Sequence, residues 1–350
     1  MNTITVNTAS SYNVYIESHL LDRLSDFISA KTVGQKAVII SDSNVWPIYG
    51  DRVEAQLNHS GFHAFHYIFP AGEKSKNAQT YLDVAEYLST LHFSRSDMLV
   101  ALGGGVVGDL TGFLAATYLR GVSYIQIPTS LLAMVDSSVG GKTAIDLNAG
   151  KNLIGSFYQP NMVICDTAAL STLPPEIFRD GCAEVIKYGI LYDETLFSHL
   201  EKKGLNFDAE YTISRCVDLK RNVVTADEFD RGERQKLNLG HTIGHGIEAK
   251  SNFQISHGQA VAMGTFLIAR CSQMMGICAK DTVNRIESIL KTFGFSLEIP
   301  YSFEEILPYI LSDKKRNSSV INLILPEYIG KCNIEPVSIE DITTIIQAGF

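Results

Sequence analysis

The stretch Met98-Leu99-Val100-Ala101-Leu102-Gly103-Gly104-Gly105-Val106-Val107-Gly108-Asp109 decides the fold. Its apolar start predicts a buried strand, and the apolar segment Leu110–Leu119 behind the glycines predicts a helix. The glycines satisfy GxGxxG, the spacing that lets backbone approach a pyrophosphate at a helix N-terminus. Glycine-rich strand-to-helix turns also serve packing alone, so the motif by itself leaves both readings open.

The same texture continues on either side. Lys36-Ala37-Val38-Ile39-Ile40 is a β-branched run ending at Ser41-Asp42-Ser43-Asn44, and Phe65–Phe69 follows. Asn77–Leu91 reads as a helix, and Tyr124-Ile125-Gln126-Ile127-Pro128 leads into Thr129-Ser130. Strands alternating with helices predict βαβ units and a parallel sheet. In the usual dinucleotide fingerprint an acidic residue follows the glycines by ~20 positions. Here the acidic strand end, Asp42, precedes them, so a ribose-binding carboxylate at Asp42 requires a different strand order.

From about Pro174 onward long amphipathic patterns dominate: Phe178–Leu200, Tyr211–Asp227, His241–Ser251 and Gly258–Met275. The second half therefore reads as helical, with the apolar run Ser319–Leu325 adding a late strand pair. The join falls near Gln159-Pro160-Asn161, where proline disfavours helix continuation. The expected domains are 1–160 and 161–350.

The bulk numbers agree with a globular protein. Of 350 residues, 45% are hydrophobic and 19% charged, ample for a core. Lys plus Arg number 29 against 38 Asp plus Glu, a net charge of −9, which argues against nucleic acid or an anionic membrane as the main partner. The six cysteines form no CxxC pair, and no apolar run is long enough to span a bilayer. Reduced thiols and the lack of a signal-like N-terminus predict a cytoplasmic protein.

His241-Thr242-Ile243-Gly244-His245 puts two imidazoles one turn apart on a helical face, without the glutamate of the zinc-protease pattern. His257 stands at a predicted helix start, and Glu184 on an otherwise apolar stretch. A carboxylate with two imidazoles is a normal donor set for Zn²⁺ or a similar ion. Spacing of this kind belongs more often to ordinary surface or core histidines than to metal ligands. Several cations lie beside glycine in loops: Arg120, Lys142, Lys151 with Asn152, Arg234 ahead of Asn238, and the Lys314-Lys315 pair. Their density across Asp136–Asn152 favours a substrate with two negative groups.

The order of these segments resembles the 3-dehydroquinate synthase family. The matching motifs are Gly72-Glu73-Lys74-Ser75-Lys76, the triple-glycine turn with Asp109, Tyr118-Leu119-Arg120-Gly121 and Pro128 through Lys142. Gly150-Lys151-Asn152, Ala183 through Gly189 and Leu237 through His245 complete the set. Met134 and Ala144-Ile145-Asp146 are small departures. The resemblance implies an α/β Rossmann-like NAD domain followed by an all-α domain for metal and substrate, around an interdomain cleft.

The resemblance also implies roles for individual residues. Glu184, His241 and His257 would hold a divalent metal, zinc or cobalt. Asp42, Gly72, Glu73, Lys76, Gly104, Gly105, Val106 and Asp109 would line the NAD site, with Thr129, Ser130, Lys142, Lys151 and Thr172. Asp136, Asn152, Lys220, Arg234 and Lys314 would contact substrate, and Lys142, Lys187, Asn238 and His245 would serve catalysis. Arg120 would reach the neighbouring subunit's site in a homodimer. The implied substrate is a small sugar acid phosphate. A metal-dependent polyol dehydrogenase, another sugar-phosphate cyclase and a catalytically dead dinucleotide-binding regulator are the rival readings.

Overall fold

The computed structural model describes residues 1–28, 34–312 and 320–350. Its first elements are β1 (Asn2–Val6), β2 (Tyr12–Glu17), β3 (Lys36–Asp42), α1 (Trp46–His59), β4 (His63–Phe69) and α2 (Ala78–Thr90). Next come β5 (Met98–Gly103), α3 (Gly105–Thr117), β6 (Ser123–Pro128), β7 (Lys142–Leu147), β8 (Gly150–Phe157) and β9 (Met162–Asp166). Most form a seven-stranded sheet in the order β1-β2-β9-β6-β5-β3-β4, while β7 and β8 pair separately. Among the described residues, only the β1–β2 pairing is antiparallel in the large sheet.

The strand order answers the question raised by Asp42. From β3 the chain steps outward to β4, then crosses back over β3 to β5 and continues to β6. The winding direction therefore reverses between β3 and β5, and the loops leaving their carboxyl ends diverge there. Asp42 ends β3 and Gly103 ends β5, so the carboxylate and the glycine turn close neighbouring parallel strands. Every residue of β5 is buried, as its unbroken apolar run requires for a strand covered on both faces.

The remaining elements are α4 (Pro175–Tyr192), α5 (Glu194–Lys203), α6 (Ala209–Ala226), α7 (His241–Lys250), α8 (His257–Met274), α9 (Lys280–Thr292) and α10 (Phe303–Ser312). The hairpin β10 (Val320–Tyr328) and β11 (Lys331–Ser338) precedes α11 (Ile339–Gly349). The pattern Phe178–Leu200 is thus two helices. Asp193 breaks it, its carboxylate accepting from the N–H groups of Thr195 and Leu196 at 2.8 and 3.0 Å and so capping α5.

By Cα proximity the chain divides into Met1–Pro174 with Ala209–Phe229, and Pro175–Asp208 with Asp230–Phe350. This division comes later than the 160/161 boundary read from the sequence, and it places α6 with the first unit. The reason is tertiary. Helix α6 packs on β1, β2 and the π-helical turn Ala133–Ser137, with Ile213, Cys216 and Val217 fully buried. Its Lys220 pairs with the Asp136 carboxylate and donates to the Asp136 carbonyl at 2.6 Å. Among the described residues, the regular elements of the second unit are helices apart from β10 and β11. All six cysteines are buried, and no disulfide links any of them. Among the described residues no helix is long and apolar enough to cross a membrane.

Candidate metal centre and dinucleotide turn

Helices α4, α7 and α8 build the first site. Glycine sets their approach: a Cβ on Gly264 of α8 would lie 2.1 Å from the Gly240 carbonyl oxygen, at the head of α7. Asp180 of α4 ties down the start of α8, accepting from Ser256 Oγ at 2.5 Å and from the Gln259 N–H at 3.2 Å. Four residues beyond Asp180, on the same helical face, stands Glu184. His257 is the first residue of α8, and His241 the first of α7.

These contacts bring Glu184, His241 and His257 together. Glu184 is fully buried, and the Nε2 atoms of His241 and His257 each lie 3.4 Å from its Oε1. Donor atoms bound ~2.0–2.1 Å from one tetrahedral ion stand roughly 3.3 Å apart, so the spacing suits a shared cation. Neither Glu184 oxygen has a hydrogen-bond partner of good geometry, a costly state for a buried carboxylate unless charge is supplied. Lys187, also buried, forms an ion pair with Glu184 Oε2. A divalent ion therefore fits this donor set.

The outer nitrogens of both rings are occupied. His241 Nδ1 donates to the Leu239 carbonyl at 3.1 Å, which leaves the Nε2 lone pair facing Glu184. His257 Nδ1 meets Glu248 Oε2 at 3.2 Å. Burial and the charge of Lys187 push the His241 pKa down to about 3. Burial also disfavours charge on His257, yet the carboxylates of Glu184 and Glu248 on either side of the ring outweigh it and raise that pKa to about 10. Burial acts to raise the Glu184 pKa, but Lys187 and the two imidazoles hold it well below the ordinary carboxylate range.

Helix α7 carries more of the site than the sequence reading included. His241, His245 and Glu248 stand at i, i+4 and i+7 on one face. The His245 ring lies 5.3 Å from that of His241, centroid to centroid, and is exposed. Glu248 and Asp180 were not singled out; the i+7 spacing was the available signal for Glu248, and nothing local marked Asp180. Arg234 is 2% exposed, and Asn238 lines a small cavity with Thr242. Lys314 lies outside the described residues.

A second site lies in the first unit. Gly104 caps α3 without a side-chain acceptor, and no acidic residue occupies the first turn. The leading N–H groups of that helix have no intrahelical partner. A Cβ on Gly104 would meet nothing nearer than Ser130 Oγ at 3.5 Å, so the turn is open on that side. At Gly103 the demand is packing instead, since a Cβ would fall 2.5 Å from Val107 Cγ2. Packing therefore accounts for Gly103, while the turn stays open at Gly104. Val106 follows in the first turn of α3, and Thr129 and Ser130 leave the carboxyl end of β6, beside β5. The turn fits an anionic dinucleotide.

Around it, Lys76 Nζ donates to Asp109 Oδ2 and to Asn152 Oδ1, both at 2.5 Å. Burial raises the Asp109 pKa against the pull of Lys76. For Lys76 the burial penalty is outweighed by the charges of Asp109 and Glu73. Lys151 lies 3.7 Å from Glu73, in the segment beginning after Gly72. Asn152 holds a left-handed φ of 56°, and its N–H donates to Asp146 Oδ1 at 2.8 Å. Asp42 Oδ1 accepts from the N–H groups of Asn44 and Val45 at 2.8 and 3.0 Å. The Thr172 hydroxyl is 2.6 Å from that of Tyr49. Lys142 and Arg120 are exposed, the latter in the left-handed run Leu119, Arg120, Gly121 with φ of 49°, 66° and 125°.

The fold and the two sites define a class: a parallel-sheet unit with an open glycine turn, joined in one chain to a helical unit with an acid–imidazole cluster that could hold a metal ion. The solved structure of 2-deoxy-scyllo-inosose synthase complexed with carbaglucose-6-phosphate, NAD+ and Co2+ shares this fold. It matches with a TM-score of 0.90 at 26% identity, covering 100% of both chains. Residues 66–180 match the family described as 3-dehydroquinate synthase N-terminal, and 181–316 that described as 3-dehydroquinate synthase C-terminal. The 3-dehydroquinate synthase of Clostridium acetobutylicum is 44% identical over 334 residues, 94% of each chain. That of Vibrio atlanticus is 44% identical over 346 residues, 95% of each. The chain belongs to the 3-dehydroquinate synthase family.

Proposed function

We propose that this protein converts 3-deoxy-D-arabino-heptulosonate 7-phosphate to 3-dehydroquinate and inorganic phosphate, using NAD and one divalent metal ion, zinc or cobalt. The overall change is a phosphate elimination with carbocycle closure: oxidation at C5, loss of phosphate, re-reduction, ring opening and an intramolecular aldol step. Bound NAD+ would supply a transient hydride acceptor, and a bound metal a Lewis acid that lowers the pKa of the alcohol to be oxidised and polarises the resulting ketone. No net redox change results.

The chain's own residues supply binding and proton handling. Glu184, His241 and His257 hold the metal, with His241 kept in one tautomer by the Leu239 carbonyl. The α3 N-terminus takes the pyrophosphate, and Asp42 the ribose. Lys142, Asn152, Lys220, Arg234 and a lysine of the 314–315 pair neutralise the carboxylate and phosphate of the substrate. His245, exposed beside the two ligand rings, is the side chain best placed to exchange a proton with substrate, Lys187 and Asn238 assisting. A homodimer with Arg120 serving the partner's site, in the cytoplasm, completes the reading.

The observation that carries it is the buried Glu184 carboxylate facing two imidazole nitrogens at 3.4 Å in a chain of this family. Purified protein given the heptulosonate phosphate and catalytic NAD+ should release one phosphate per substrate without lasting absorbance at 340 nm. With NAD+ supplied in excess, stoichiometric NADH and no phosphate release would establish a polyol dehydrogenase instead.

A further inference from the structure

Glu248 is a carboxylate that the reaction does not call on, yet it sits at the metal set. Its side chain is 5% exposed, and its Oε2 meets His257 Nδ1 at 3.2 Å. The opposite nitrogen of the same ring, Nε2, points at Glu184 Oε1. A neutral imidazole has one lone pair and one N–H. If Nε2 gives its lone pair to the ion, Nδ1 carries the proton and needs an acceptor, which Glu248 provides.

The backbone around Glu248 is built to hold that contact. Its carbonyl accepts from the Phe253 N–H at 2.9 Å and from Ser251 Oγ at 2.8 Å, while the Ile255 N–H donates to Ser251 Oγ at 3.1 Å. These bonds fasten the short connection from α7 to α8, so Glu248 and His257 cannot drift apart independently. Asp180 fixes the other side of His257 by capping α8.

A competing arrangement exists, because donor atoms of His245, Glu248 and His257 also lie within 4.8 Å of one another. As a second metal site it would need lone pairs from both nitrogens of His257, hence an imidazolate, and it would draw on the exposed His245. The outer-sphere arrangement needs neither. We propose that Glu248 is a positioning residue: it binds no metal and no substrate, but selects the tautomer and orientation of His257 and raises its donor strength.

The inference rests on Glu184, His241 and His257 being the ligands, which the parent protein tests separately. Equilibrium dialysis should find one zinc per chain, and His241→Ala should lose it; failure there removes the ligand set itself. Outer carboxylates of this kind typically contribute 10–100-fold to metal affinity. Zinc affinity by chelator competition should therefore fall about tenfold in Glu248→Gln, which keeps an acceptor but loses the charge, and towards a hundredfold in Glu248→Ala. Cobalt loaded into Glu248→Ala should show a shifted visible d–d spectrum, with the parent spectrum largely restored in Glu248→Gln. Parent-like zinc affinity in Glu248→Gln would overturn the proposal, and this variant decides if Glu248→Ala fails to fold. Two zinc ions per parent chain, falling to one in Glu248→Gln, would overturn it in favour of a ligand role.

Discussion

Gly264→Ala is a severe test of how the metal set is assembled, because two effects oppose each other. Within a helix, alanine is intrinsically better than glycine by ~0.8–1.0 kcal/mol, so local propensity alone predicts stabilisation. The structure predicts the reverse. The new methyl would lie 2.1 Å from the Gly240 carbonyl oxygen and close to the Gly244 nitrogen, at 2.9 Å. Both neighbours are backbone of α7, which cannot rotate away as a side chain would. Real Cβ contacts essentially never fall below 3.0 Å, so α8 must retreat from α7 by at least about 0.9 Å. Overpacking of this kind costs ~1–3 kcal/mol or more, enough to outweigh the propensity gain. The same retreat separates His257 from His241, and metal sites tolerate only ~0.2 Å in their ligand distances. The variant should unfold at lower denaturant and bind zinc at least ~10-fold more weakly. Denaturant titration and chelator competition read the two effects. A variant as stable as the parent, with parent zinc affinity, would refute the reasoning.

Two other outcomes follow from charge and exposure. In the metal-free protein His257 has its pKa raised to about 10, above the ~6.5 of an unfolded chain. Its stabilising contribution is therefore complete below about pH 6.5 and is lost as pH rises through about 10. Since a ligand imidazole must be neutral, zinc loading near pH ~7.5 should expel about one proton from this ring, while His241, held at about 3, releases none. Calorimetry in buffers of different ionisation enthalpy measures that proton, and its absence would count against the charge assignment. Arg120→Ala should lose activity, and mixing it with Arg234→Ala should recover part of it through hybrid dimers; no recovery argues against a shared site.

Much of the protein was legible locally. The β-branched run Lys36–Ile40 and the apolar run before Gly103 became β3 and β5 because a strand buried on both faces has no alternative composition. The i, i+4 spacing of His241 and His245 fixes a shared helical face whatever surrounds it. The order of family motifs carried the likeness further, to NAD, a metal and a sugar acid phosphate, although no periodicity reports a substrate.

Tertiary structure decided the rest. Sequence spacing could not say that Asp42 would end a strand beside the glycine turn, because strand order depends on which way the chain crosses the sheet. Nor could it assign α6, amphipathic like its neighbours, to the first unit. Glu184 and His241 meet only because Gly264 lets α8 close on α7 and Asp180 fastens α8 to α4. Helical period and glycine adjacency are properties of a few consecutive residues. A candidate metal centre drawn from three helices belongs to their packing, where the room left for one methyl group is set by distant backbone and not by local preference.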